Sequence, residues 1–203
     1  MLQPKETTLA IPAEERILIS ARREIEEQGI LGLRIMDVAR GAQASLSLIY
    51  KYFGSRDGLL ARVLGDMYEE IQQTSLSAYM QQLAGNNNLT VEDLVGALPQ
   101  FDNEAFRHNQ YARLQILATS LKNPDLRARL ELLTQEQMRT WRDAISNLKS
   151  RMAPGEEFDE RFFLMILSTQ SMYYRELLGE TSFSKEDYTS YVLHILKNSP
   201  SKG

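Results

Sequence analysis

The sequence predicts an all-α chain of about nine helices, on three observations. Apolar residues recur three and four apart in segment after segment, and no stretch makes a persuasive strand or an internal repeat. Stop and cap residues punctuate those segments at Gly29, Gly54, Gly85 to Asn88, Asn123-Pro124 and Pro154-Gly155. Residues 35 to 53 form two short apolar-faced segments that meet around small residues. They set a small N-terminal domain of three helices, residues 10 to 56, apart from a larger helical domain, residues 57 to 203.

In order, residues 1 to 11 are a polar arm, and Pro12 suits the first turn of a helix. Ile17, Leu18, Ala21 and Ile25 make one stripe that Gly29 ends, and Glu24, Glu26 and Glu27 are its solvated face. Ile35, Val38, Ala39 and Ala42 give the next helix its apolar face. After a break at Gly41 to Ala44, Ile49 and Phe53 carry the pattern on, with Ser45 as N-cap. Ala39 and Ala42 are small enough for two helices to approach steeply, the geometry of a helix-turn-helix. Gly54 stops the second helix and Ser55 caps a long one, to about Ala84, with Leu60, Val63, Leu64, Met67 and Ile71 as its buried stripe. Thr90 to Asp93 has capping-box spacing. Helical pattern follows from about Glu104 to Leu121 and, capped by Asn123 with Pro124 in the first turn, to about Arg151. Two further helices are expected, from Glu157 to Leu178 before Gly179, and from Lys185 to Lys197.

With 203 residues, 43% of them hydrophobic, the chain can bury a sizeable core. There is no cysteine, which excludes disulfides and thiolate metal sites. No signal-peptide pattern and no apolar run of about 18 residues is present, so a cytoplasmic protein without a membrane span is the expectation. The net charge of −4 is unevenly spread. Residues 34 to 56 hold Arg34, Arg40, Lys51 and Arg56 against Asp37 alone, a local +3, whereas residues 61 to 203 hold 15 basic and 19 acidic residues. A small basic footprint on an acidic body suits local, salt-sensitive phosphate contacts.

The run VARGAQASLSLIYKYFGSRDGLL resembles the DNA-binding signature of the TetR family of bacterial helix-turn-helix regulators. Val38, Ala39, Ala42, Ala44, Ser45, Ile49, Tyr50, Tyr52, Phe53, Arg56 and Leu59 stand at matching positions, and ERILISARREIEEQGILGL matches the family's first helix. The chain departs at Gln43, where the family usually has glycine, at Leu46 and Leu48, where it often has polar or basic residues, and at Arg34, where it often has a Ser or Thr cap. The resemblance implies a three-helix DNA-binding domain followed by a C-terminal helical domain that binds a ligand and dimerises.

The candidate DNA-binding residues are Arg34, Met36, Ser45, Leu46, Ser47, Leu48, Tyr50, Lys51, Tyr52 and Arg56. Tyr50 and Tyr52 could serve as core or as phosphate ligands, and the resemblance favours phosphate for Tyr50. Leu46 lies three residues before Ile49, which leaves burial and contact with a thymine methyl both open. Leu48 lies off that face, so thymine contact suits it better. Lys51 and Arg56 flank the groove-facing helix and suit phosphates.

The resemblance also implies that the long fourth helix joins the two domains and that the last two helices pair with their copies as a four-helix dimer interface. Phe162, Met165, Ile166, Thr169 and Met172 on one, and Tyr188, Tyr191, Val192 and Ile195 on the other, form the expected faces. A two-fold dimer reads two half-sites on successive turns, which one helix-turn-helix cannot. A small-molecule pocket in the body is implied as well, with His108, Tyr111, Gln115, Trp141, Gln170, Tyr173 and Tyr174 as polar or aromatic candidates for an organic effector. Core packing is the simpler reading of each aromatic. No metal cluster or cofactor is expected, since His108 and His194 are far apart and no carboxylate joins either at ligand spacing.

Three function classes compete. The first is a homodimeric regulator, by family habit a repressor, that binds a palindromic DNA operator and is released by an effector; activation is the variant of it. An enzyme is disfavoured by the lack of a phosphate-cradling glycine loop, a nucleophile elbow, a His-Glu-x-x-His motif or a cysteine nucleophile. Glu156 and Glu157 are better explained by a helix N-terminus that favours negative charge. The third class is a helix-turn-helix protein that acts through protein contacts without an effector pocket.

Overall fold

The computed structural model of the protein describes residues 11–98, 104–159, 163 and 185–198. Among them are eight helices, α1 (Ala13–Gly32), α2 (Ile35–Ala42), α3 (Leu46–Phe53), α4 (Arg56–Gln82), α5 (Val91–Gly96), α6 (Glu104–Ser120), α7 (Pro124–Lys149) and α8 (Lys185–Asn198). The only pairing of strand type among the described residues is an isolated bridge between Leu89 and Met152. The helix expected from Glu157 to Leu178 lies almost wholly outside the described residues.

These helices form two compact units. The first comprises the described residues up to Met67 together with Gln115–Leu130. Its core holds Ile17, Ala21 and Ile25 from α1, Val38, Ala39 and Ala42 from α2, Ile49 from α3 and Leu59, Leu60, Val63 and Leu64 from α4. The α1–α2 contact is close because Gly41 has no side chain. A Cβ there would stand 2.3 Å from the Ser20 hydroxyl, which is buried and donates to the Val38 carbonyl at 3.1 Å. Arg16 Nε reaches from α1 to the last carbonyl of α2, Ala42 O, at 3.1 Å and satisfies one of that helix's end groups. Gly29 ends the regular helix as expected: its φ of 73° and ψ of 167° are non-helical, and a separate short turn follows to Gly32 with Ile30 buried.

Ser55 caps α4 as expected, its hydroxyl accepting from the Gly58 N–H at 2.9 Å. Asn123 caps α7 by accepting from the Leu126 N–H at 3.0 Å, and its amide also donates to Asp57 O at 2.9 Å, which ties the starts of α4 and α7 together. Arg129 of α7 pairs with Asp66 of α4. A Cβ on Gly65 would stand 2.2 Å from Arg129 Nε, so the crossing of that guanidinium explains a glycine inside a helix, where it costs about 0.5–1 kcal/mol.

The second unit comprises Tyr68–Leu114 and the described residues from Glu131 onward. Its core is aromatic at the centre. The Tyr79 ring lies 5.6 Å from Trp141 and 6.1 Å from Phe163, and Phe158 meets Phe163 edge-on at 5.3 Å. Leu83, Leu89, Leu94, Ile145, Leu148, Val192 and Leu196 complete the cluster. The Tyr79 hydroxyl donates to Leu94 O at 3.1 Å, and burial holds its proton far above the usual tyrosine range.

The expected capping box starts α5: Thr90 Oγ1 accepts from the Asp93 N–H at 3.2 Å and Asp93 Oδ2 from the Thr90 N–H at 2.9 Å. Glu156 does sit at a helix N-terminus, though not the one its sequence neighbours suggested: its carboxylate accepts from Val91 N–H of α5 at 3.1 Å. Lys197 of α8 pairs with Glu92 of α5, which lowers the carboxyl's pKa and raises the ammonium's.

Candidate nucleic-acid interface

Helix α3 is amphipathic in the way a presented helix must be. Ile49 is fully buried, and at about 100° per residue the direction opposite to it falls between Ser47 and Lys51, both exposed. Tyr50, 46% exposed, and half-buried Leu48 flank that line. Leu46 is 37% exposed, so the two leucines reverse their expected order: Leu46 offers more surface than Leu48. The reason is position, since Leu46 opens the helix with no preceding turn to cover it. Tyr52 is also exposed and leans its ring on Phe53, 6.1 Å between centroids.

The start of α3 is held by Ser45, whose hydroxyl accepts from the Leu48 N–H at 3.2 Å and lies 3.0 Å from Ser47 Oγ. The N–H groups of Leu46 and Ser47 precede the first intrahelical bond, so they and the helix dipole favour an anion at this end. The turn before it is made by Gln43 at φ 50° and ψ 47°, left-handed without a glycine. Its N–H donates to the carbonyls of Ala39 and Arg40, and Ala44 N–H to Ala39 O at 3.0 Å, which offsets a conformational cost of about 1–2 kcal/mol. The left-handed corner usual for glycine is therefore kept. Gly54, at φ 72°, stops α3 as expected.

The four cations of residues 34 to 56 have different commitments. Arg34, exposed at the N-cap of α2, and Lys51 have no ion-pair partner among the described residues. Arg40 lies 2.9 Å from Asp37 with most of its side chain in solvent. Arg56 points its Nη2 at Ile30 O and Leu33 O, 3.4 and 3.3 Å away, and so closes the end of α1. That is a structural role the sequence did not announce. Met36, 60% exposed on α2, adds an apolar group.

Of the effector candidates, Gln115 is exposed and belongs to the first unit, and His108, exposed, and Tyr111, half-buried, belong to the second. Trp141 is 8% exposed and stacks in the aromatic core, so packing explains it. Gln170, Tyr173 and Tyr174 lie outside the described residues. Sequence reasoning missed Tyr68 and Gln72, buried one turn apart on α4, and Gln110 and Arg113 on α6. The Arg113 guanidinium lies 5.3 Å from the Tyr68 ring centroid and 3.4 Å from its hydroxyl. A glutamine four residues after a tyrosine on an apolar stripe was the signal available.

Among the dimer candidates, Val192 is 2% exposed and packs with Leu196 into the core of the second unit. Ile195 is half-buried, and Tyr188 and Tyr191 lie on α8. Phe162, Met165, Ile166, Thr169 and Met172 lie outside the described residues. Among the described residues no group of three or more His, Asp or Glu could hold a metal ion, and no helix is long and apolar enough to cross a membrane.

A capped helix displayed on a three-helix scaffold, basic and half apolar on its outer face, defines a helix-turn-helix DNA-binding module. Residues 17–63 match the family of bacterial regulatory proteins of the tetR type. A protein from Rhodococcus sp. assigned as a TetR-family transcriptional regulator has a similar fold, at 24% identity and a TM-score of 0.57 over 90% of this chain and 95% of that one. The multidrug binding protein EbrR in complex with imidazole is similar at 18% identity and a TM-score of 0.59, over 95% and 99% of the two chains. Its complex with ethidium gives 18% and 0.58 over 92% and 99%. No curated protein matches the sequence significantly. Residues 17–63 thus carry a DNA-binding domain of the tetR type, and the chain shares its fold with these solved structures.

Proposed function

We propose that the protein is a homodimeric repressor that binds a palindromic operator through residues 45 to 51 and leaves it when a small organic effector binds the body. DNA binding falls to residues 10 to 56, and effector binding and dimerisation to residues 57 to 203. The carrying observation is the outer face of α3, where Ser47, Tyr50 and Lys51 stand exposed behind the capped turn of Ser45. Lys51 and Arg34 meet phosphates, Tyr50 adds a phosphate hydrogen bond, and Leu46 reads a thymine methyl. In the body, the buried Gln72 and Gln110 and the half-buried Arg113, 3.4 Å from the Tyr68 hydroxyl, are the polar groups that would orient an effector. That EbrR, of similar fold, carries ethidium and imidazole supports an organic effector. Release by a hundredfold loss of operator affinity needs about 2.7 kcal/mol of coupling, within the usual allosteric range. The protein acts by binding in the cytoplasm, not by catalysis.

The test is a titration of the purified protein against its own upstream DNA and a scrambled control at two salt concentrations. Tight, salt-sensitive binding to the upstream DNA alone, at two protomers or a multiple per site, is expected. Equal weak binding to both DNAs would overturn the assignment of that operator and of residues 45 to 51 as its reader.

A further inference from the structure

The first unit contains a cleft that takes no residue from α2 or α3. It measures about 630 Å³ and is bounded by the end of α1, the start of α4, the end of α6 and the corner into α7. That volume lies within the usual range of small-molecule sites. Ile30, Leu31, Leu60 and Ala118 give it apolar walls. Leu31 is 98% exposed, so a large apolar side chain stands beside the cleft with nothing packed on it. At Gly29, which lines the cleft, a Cβ would meet nothing within 4 Å, so the space beside that backbone is open.

The polar lining is biased. Arg56 and Lys122 face one carboxylate, Asp57, and the N-terminus of the 27-residue α4 opens at the same place. Arg56 is held by two long contacts of 3.4 and 3.3 Å to the carbonyls of Ile30 and Leu33 and by a 4.0 Å ion pair with Asp57, and its side chain is 41% exposed, so a competing anion can engage it. Lys122 is exposed. We infer that this cleft binds a small amphipathic organic anion, its apolar body against Leu31 and Leu60 and its charged group between Arg56 and Lys122. Every lining residue belongs to the first unit, among them Gln115, one of the effector candidates, and none of the second unit's Gln72, Gln110 and Arg113 takes part.

The test uses two fluorescent probes on the full chain: 8-anilinonaphthalene-1-sulfonate, and N-phenyl-1-naphthylamine, which has the same aromatic body without the sulfonate. Ala118→Trp fills the cleft and Lys122→Glu reverses a charge at its rim, both at exposed positions whose folding is checked by thermal melting. One saturable class of sulfonate sites is expected to vanish in Ala118→Trp and to weaken about fivefold or more in Lys122→Glu, with neutral-probe binding unchanged by Lys122→Glu. Sulfonate binding indifferent to both substitutions would overturn the inference. So would a change of oligomeric mass in Ala118→Trp without loss of probe binding, because the cleft would then be a contact between copies.

Discussion

Helix α3 and the centre of the second unit use the same kind of residue to opposite ends. Both carry aromatic side chains. Trp141 and Phe163 both pack against Tyr79, whose hydroxyl is bonded to Leu94 O. Tyr50 and Tyr52, by contrast, stand nearly half exposed, as Leu46 and Met36 also stand exposed. A fold that can bury aromatics this completely in one unit leaves four large apolar side chains in water around one short helix pair. An exposed apolar group rimmed by cations is the mark of a surface reserved for a partner. The comparison separates the two roles more sharply than residue type could.

Substitution at Trp141 should break the buried side of that comparison most strongly. Trp141→Ala is expected to cost about 3–5 kcal/mol in urea unfolding, as large-to-small core changes do. A cost under about 1 kcal/mol would show that Trp141 lines open space, and would return it to the effector candidates. Next in size is Gly41→Ala, whose methyl would meet the Ser20 hydroxyl at 2.3 Å. It should destabilise by about 1–3 kcal/mol and weaken DNA binding as α1 and α2 are forced apart. An unaltered melting temperature would show that Ser20 gives way and that the close approach is not needed.

Lys51→Ala should leave thermal stability alone and act on the exposed side. Operator affinity should drop about tenfold, and the slope of log affinity against log salt should shrink by about 0.9, the signature of one lost phosphate contact. Equal affinity and slope would move the phosphate contacts off α3. The smallest effect is expected from Gln43→Gly. Relief of the left-handed strain, about 1–2 kcal/mol, is offset by the greater freedom of glycine in the unfolded chain, so a gain of about 0.5 kcal/mol is expected in chemical denaturation. A loss instead would assign the Gln43 side chain a contact of its own.

Local signals alone determined the element order. Ser45, Ser55, Thr90 and Asn123 each cap the helix their spacing announced, because capping bonds span three residues and need no distant partner. The helix-turn-helix was legible for the same reason: Ile49 inward with Ser47 and Lys51 outward follows from the period of one helix. Tertiary structure decided the rest. The commitment of Arg56 to Ile30 O and Leu33 O depends on a chain segment 23 to 26 residues away. The inward turn of Val192 depends on α5, and the role of Glu156 on Val91, 65 residues distant. Periodicity names the residues that share a face. Only the packed neighbours decide whether that face meets the protomer's own core, a second copy, or DNA.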